Sequence, residues 1–198
     1  MSAEPATARA TAAVPTPDAG RYDLPPVVWA DWTVVLLKPD CVRRGLTDPV
    51  LTWIEQAVRL VDVRPVQPAM AQIFAHYDDM LPLSQQLRRN VPAELLRIFV
   101  GHTVVIALGH GPDATVRVRA MVGPTDPAAA PPSTIRGRFA DDTLRRAVAD
   151  GRLVDNLIHT SDHGGVVERD FRIWYGTACT HLLHPEPAPL PNSSGGTI

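Results

Sequence analysis

An α+β sandwich is predicted by three features of the chain: short β-branched apolar runs, helical patterns set between them, and a length that suits one domain. The elements read in the order β-α-β-(α)-β-α-β-α. That order fits a ferredoxin-like βαββαβ sandwich with a four-stranded antiparallel sheet. Trp32 to Lys38 is a β-branched apolar run stopped by Pro39-Asp40, the pattern of a buried strand. Thr47-Asp48-Pro49 opens a helix through a capping side chain and a proline in the first turn, with Leu51, Ile54 and Val58 on one face. Leu60 to Ile73 is strand-like, and Pro65 and Pro68 mark it as an edge or a bulge. A helical region over 75–100 is interrupted near Pro92, and Thr103 to Leu108 is the third strand. A helix follows from Pro112 to Val122, then a Pro- and Gly-rich loop over 123–140. Asp141 to Asp150 is a short helix capped by Asp141 or Asp142, with Leu144 and Val148 facing inward and Gly151 as its stop. Leu153 to Ile158 is the fourth strand and Gly164 to Tyr175 the last helix.

Composition narrows the possible functions. With 198 residues and 45% hydrophobic content, the chain can bury a sizeable core. A formal charge of −2 argues against a dedicated nucleic-acid binder. Two cysteines, Cys41 and Cys179, do not make a disulfide scaffold. No apolar run approaches the roughly 20 residues of a membrane-spanning helix, and the N-terminal stretch lacks the apolar centre of a secretory signal. The expectation is a cytoplasmic protein without a membrane partner. Residues 1–30 and 185–198 lack periodicity and read as disordered or flexible tails, which leaves a folded domain over 31–184.

The residue that organises the chemistry is His159, in Asn156-Leu157-Ile158-His159-Thr160-Ser161-Asp162. Upstream come Lys38, Tyr77, Arg119, Thr125 and Arg136, in that order. Lys38 is the only lysine among 19 basic residues, which leaves eighteen arginines. A compact ammonium fits between phosphate oxygens where a planar guanidinium fork does not, so a retained lysine at a strand end points to a specific task. Phosphoryl transfer needs positioning and positive charge around the moving oxygens, and a neutral imidazole can act as its nucleophile. A carboxylate on the other ring nitrogen would fix the tautomer. Asp170, eleven residues after His159 on the last helix, is the candidate. Arg119 and Arg136 can grip phosphate oxygens bidentately. Lys38 and the Asn156 amide can serve a sugar hydroxyl, and Thr125 a phosphate oxygen. No glycine-rich phosphate loop is present. His163, four residues after His159, is not read as a metal partner, because that spacing does not converge at a strand end.

Four stretches, Val34–Leu46, Arg119–Pro127, Thr134–Phe139 and Asn156–Asp162, resemble the signature motifs of the nucleoside diphosphate kinases, over a span from about Trp32 to Tyr175. The resemblance implies transfer of the γ-phosphate of ATP or another nucleoside triphosphate to a nucleoside diphosphate, by a ping-pong route through phosphorylated His159. It implies Mg²⁺ carried on the nucleotide phosphates rather than in a protein metal site, and a homo-oligomer. It assigns catalytic roles to His159, Lys38, Tyr77, Asn156, Ser161 and Asp170, and nucleotide binding to Lys38, Arg119, Thr125, Arg136 and Asn156. Tyr77 would pack near and hydrogen-bond to the histidine, and Ser161 would support it through a local hydrogen bond. Arg44-Gly45 matches an Arg-Gly pair whose role is structural.

Three departures bear on that assignment. Thr160 stands where the family has glycine after the histidine. The lid between Tyr77 and Val104 is longer than usual, and Pro92 is followed by Ala93-Glu94-Leu95-Leu96 rather than a base-stacking phenylalanine. Losing that ring removes a stacking contribution of roughly 1–3 kcal/mol per base, for which Val91, Leu95 and Leu153 offer aliphatic packing. An insertion between Arg136 and Asn156 covers the helix expected at 141–150, beside the surface used for assembly. The altered lid motivates one alternative, a phosphotransferase with an unusual nucleotide acceptor. A weakly active nucleotide sensor would instead call for loss of His159, Lys38 or Arg119, and all three are present.

Overall fold

The computed structural model describes residues 26–86 and 89–184. The two expected tails fall outside this range except for residues 26–30, where Trp29 packs its ring 6.0 Å from that of Phe171. Four strands, β1 (Trp32–Leu37), β2 (Arg59–Val66), β3 (Val104–His110) and β4 (Ile158–Thr160), form one sheet in the order β2-β3-β1-β4, every neighbour antiparallel. This is the βαββαβ sheet that the element order predicts. Every residue of β1 is buried, which explains why its sequence is continuously apolar rather than alternating. Val34 and Leu36 enter one core and Val35 and Leu37 the other.

Those two cores lie on opposite faces of the sheet. One is closed by α1 (Pro39–Arg43), α2 (Thr47–Ile54), α5 (Ala114–Val122) and α6 (Ile135–Phe139), through Cys41, Ile54, Val118 and Ile135. The other is closed by α3 (Met70–His76), α4 (Val91–Phe99) and α8 (Gly164–Trp174), through Ile73, Leu95, Phe99 and Phe171. The short α7 (Leu144–Ala149) lies in the insertion. Both faces are thus covered, and only the outer sides of β2 and β4 are edges.

Several boundaries differ from the sequence expectations, each for a local reason. Pro39 starts α1 instead of merely stopping β1, because its locked φ suits a first helical position and Lys38 supplies an extended residue before it. Thr47 lies inside α2 and no side chain caps that helix; Val50 joins Ile54 in the core, while Val58 is buried in the turn beyond the helix. β2 ends at Val66, and Ile73 belongs to α3, whose start is marked by Gln72 Oε1 accepting the Ala69 N–H at 3.0 Å. β2 is an edge strand with its irregularity between Leu60 and Asp62. Pro92 opens α4 rather than interrupting a helix, with Asn90 Oδ1 accepting the Ala93 N–H at 3.1 Å. α5 starts at Ala114, because Asp113 takes a left-handed φ of 51°. The expected loop over 123–140 contains α6, capped by Thr134.

Two corrections concern the insertion and the strand after it. The cap of α7 is Thr143, whose hydroxyl accepts the Arg146 N–H at 3.0 Å; Asp142 turns inward to Arg152 instead. Leu144 and Val148 do not face the core: they are 42% and 56% exposed, and Ala147 is the buried residue. β4 spans only Ile158–Thr160, because several backbone groups of 153–157 hydrogen-bond to side chains rather than to a strand.

Candidate active site

His159 sits opposite Leu36 in the β1–β4 ladder. Strand alternation sends Ile158 into the α2/α5 core and turns His159 to the other face, where its half-buried ring meets a cavity. The chain reaches this strand through a tight turn. Leu157 has φ of 68°, and the Ile158 N–H donates to the Asn156 carbonyl at 2.8 Å, two residues back. Such a turn is strained for a leucine and persists only when its surroundings over-determine it. Here they do. The Leu157 N–H donates to Asp40 Oδ2 at 2.9 Å, its carbonyl accepts the Lys38 N–H at 2.8 Å, and its side chain is fully buried.

His76, Tyr77 and Trp174 form an aromatic cluster beside His159. The His76 ring meets that of His159 edge-on at 4.7 Å between centroids, and Tyr77 lies at 5.5 Å from His159. Trp174 Nε1 donates to His76 Nδ1 at 3.1 Å. Asp170 Oδ1 lies 3.5 Å from the same nitrogen. Burial pulls the His159 imidazole down to about 3, helped by His76, so the ring is neutral and nucleophilic across physiological pH.

Three expected contacts to the histidine take other forms. Asp170 does not touch His159 by a hydrogen bond; it accepts from the Ser161 hydroxyl at 2.7 Å and faces His76 and Arg169. Burial alone would raise its carboxyl, but these three partners hold it below the ordinary carboxylate value. Ser161 accordingly supports the histidine only through Asp170 and through its own N–H on the Val34 carbonyl at 3.1 Å. Tyr77 packs beside the histidine without hydrogen-bonding to it among the described residues, and burial pushes its hydroxyl well above the usual value.

The cationic groups are built in as firmly as the histidine. Lys38 Nζ donates to the Val154 carbonyl and to Asn156 Oδ1, both at 3.0 Å, and Asn156 Nδ2 donates on to the Thr125 carbonyl at 3.0 Å. Burial lowers the Lys38 ammonium, against the attraction of Asp40 and Asp155. Arg136 donates to the carbonyls of Asn156, Gly123 and Ile158 at 3.3, 2.9 and 2.7 Å. Three of the five guanidinium donors are thus used inside the protein, and two are left for a ligand. Burial, and then the nearby charge of Arg119, pull its pKa down to about 10. Arg119 is half exposed and ion-paired to Asp162.

His159, Lys38, Tyr77, Arg119, Thr125, Arg136 and Asn156 all line one cavity of about 800 Å³; Ser161 and Asp170 stand behind it. Thr160, at the position of the family glycine, also borders the cavity; it pairs with Val35 in the ladder and is 3% exposed. No group of three or more histidine, cysteine or acidic side chains suited to a metal occurs among the described residues. His163 instead caps α8, with Nδ1 accepting the Gly165 N–H at 3.2 Å. Sequence reasoning did not find His76, whose only signal is its place beside Tyr77, nor Asp162 or the α7 side chains in the cavity wall.

A histidine on an edge strand, beside one lysine and two arginines on a βαββαβ sheet, is an arrangement suited to phosphoryl transfer. The sequence pattern of the nucleoside diphosphate kinases matches residues 31–179. A nucleoside diphosphate kinase of Pyrobaculum aerophilum is 30% identical over 171 residues, covering 72% of this chain and 93% of that protein. One from Streptomyces avermitilis is 34% identical over 149 residues, covering 72% and 94%. Among solved structures, the Borrelia burgdorferi nucleoside-diphosphate kinase with bound vanadate and ADP, a transition-state mimic, superposes with a TM-score of 0.66 at 27% identity, covering 74% of this chain and 88% of that one. The chain belongs to the nucleoside diphosphate kinase family.

Proposed function

We propose that this nucleoside diphosphate kinase carries the phosphoryl group on His159. A nucleoside triphosphate enters with its γ-phosphorus in line with the neutral ring. The N–P bond forms as the bond to the β–γ bridging oxygen breaks, and the nucleoside diphosphate leaves with that electron pair. An incoming diphosphate then attacks the same phosphorus with a terminal β-oxygen, and the N–P bond breaks. Arg119 and the two remaining donors of Arg136 hold phosphate oxygens, with the Thr125 hydroxyl beside them. Lys38 and Asn156, already hydrogen-bonded to each other, present the ammonium and amide to the ribose hydroxyls. Asp162 releases or shares Arg119 as the phosphates enter. The observation that carries this reading is the convergence of a neutral histidine and three cations on one cavity.

Mg²⁺ dehydrates reluctantly and is commonly held by one or two carboxylates plus substrate phosphates. Asp162 is the carboxylate among the residues lining the cavity, which suits an ion that arrives on the nucleotide. When bound, it would neutralise charge on the β- and γ-phosphates. No helix among the described residues is long and apolar enough to cross a membrane. A cytoplasmic location is part of the proposal. We also propose a homo-oligomer, with the free edge of β2 and its exposed Val63 as the meeting surface; sedimentation velocity tests it. Intact-mass measurement after ATP and Mg²⁺, followed by a GDP chase, tests the transfer. One acid-labile phosphoryl adduct that vanishes as GTP forms is the expected result; nucleotide binding without an adduct would refute it.

A further inference from the structure

The insertion between Arg136 and Asn156 turns two large apolar side chains, Leu144 and Val148, toward the cavity that holds His159. They are 42% and 56% exposed and, four residues apart, lie on one face of α7. The helix that carries them is fixed at several points. Asp142 is buried and accepts from Arg152 at 2.6 and 2.9 Å and from the Asp155 N–H at 3.0 Å. The Leu144 N–H itself donates to Asp126 Oδ1 at 3.0 Å, beside the cavity residue Thr125. On the opposite side, α4 is tied to the same segment: Glu94 Oε2 accepts the Leu153 N–H at 3.2 Å, and Arg89 donates to the Arg152 carbonyl. Much of the cavity's apolar wall comes from α4, α7 and Leu153, with Met80, Val122 and Pro124 beside them. Its polar groups, Lys38, Asn156, Thr125 and Arg136, form a separate hydrogen-bonded set around His159.

From this arrangement we infer that α7 is a nucleobase clamp, with Leu144 and Val148 as specificity-determining residues that close on the flat face of the base opposite Leu95 and Leu153. The inference rests on reading the cavity as a nucleotide site. The base is the only flat, largely apolar part of a nucleotide whose phosphates and ribose are held by the polar set. An aliphatic clamp grips ring area rather than a hydrogen-bonding edge, so it accepts every base and binds purines more tightly than pyrimidines. The test is calorimetric binding of ADP, CDP and base-free ribose 5-diphosphate to the full chain and to Leu144→Ser/Val148→Ser. Both positions are solvent-exposed, so the variant folds. ADP affinity is expected to fall at least about tenfold and CDP affinity less, with ribose 5-diphosphate unchanged. Unchanged ADP affinity, no ADP binding by the unsubstituted chain, or an equal loss for ADP and ribose 5-diphosphate would overturn the clamp. Because binding needs no chemistry, a protein that binds ADP through the clamp but forms no phosphohistidine would refute the transfer reading alone.

Discussion

The polar side of the cavity and its apolar side are built by different physical means. Around His159 the parts are buried, charged and mutually hydrogen-bonded: Lys38 to Asn156, Asn156 to Thr125, Arg136 to three carbonyls, Asp40 to the strained Leu157. Each replacement there leaves a partner buried and unsatisfied, so side-chain chemistry is tightly constrained. The apolar side relies on the aliphatic area of Leu95, Leu144, Val148 and Leu153, which many side chains could supply. An enzyme can therefore keep its chemistry while the surface that meets the base is rebuilt by an insertion.

The largest effect that would break this contrast is at the nucleophile. His159→Ala should lower ATP-to-GDP transfer by about 10⁴-fold or more while ADP still binds, measured by coupled assay and calorimetry. Lys38→Arg comes next. The guanidinium cannot occupy the ammonium site between Val154 and Asn156, so kcat/KM should fall by about 100-fold without loss of fold. Asp142→Ala removes the anchor of α7, leaving the Arg152 guanidinium and the Asp155 N–H without their acceptor. It should destabilise by about 2 kcal/mol in urea unfolding and weaken ADP more than ribose 5-diphosphate. A stronger effect on ribose 5-diphosphate would show that the two sides are not separable.

The pH dependence sharpens the same contrast. Because the folded His159 is pulled down to about 3, rates of phosphohistidine formation should lack the step near 6.5 that an ordinary histidine produces. For stability the sign is fixed. Between about 6.5 and 3 the unfolded chain binds a proton that the folded ring does not, so stability rises with pH across that window by at most about 1.4 kcal/mol per unit from this group. Asp142, held well below the usual carboxylate value by Arg152, and Asp170 add stability above the unfolded carboxylate range that is lost as pH falls below it. Thermal melts from pH 7 to pH 4 check both. The smallest effect is expected far from the site: Arg172→Ala breaks an exposed pair with Glu168 and should change stability by less than about 0.5 kcal/mol.

Most of the cavity's polar side was legible in the chain. His159, Lys38, Arg119, Thr125, Arg136, Asn156 and Tyr77 were identified from motifs and order, and the cavity collects all seven. What lay behind them was harder to read. Asp170 was matched to His159 by its place in the chain, yet His76 stands beside that ring and Asp170 pairs with Ser161, because distances across α3 and α8 depend on helix packing. Element boundaries failed where side chains compete for the backbone. Residues 153–157 have a strand-like sequence, but Lys38, Arg136 and Asp40 take the hydrogen bonds a ladder would have used.

The insertion marks the limit most sharply. Apolar periodicity placed Leu144 and Val148 on an inward face, and they do share a face. It points into the cavity rather than the core, since periodicity reports which residues lie together and not what they lie against. Local sequence set the strands, the fold class and the inventory of reactive groups, because these depend on residue type and short-range spacing. The pairing of His76 with Trp174, the neutrality of His159 and the direction in which α7 looks were decided by burial and by partners distant in the chain, which exist only once it has folded.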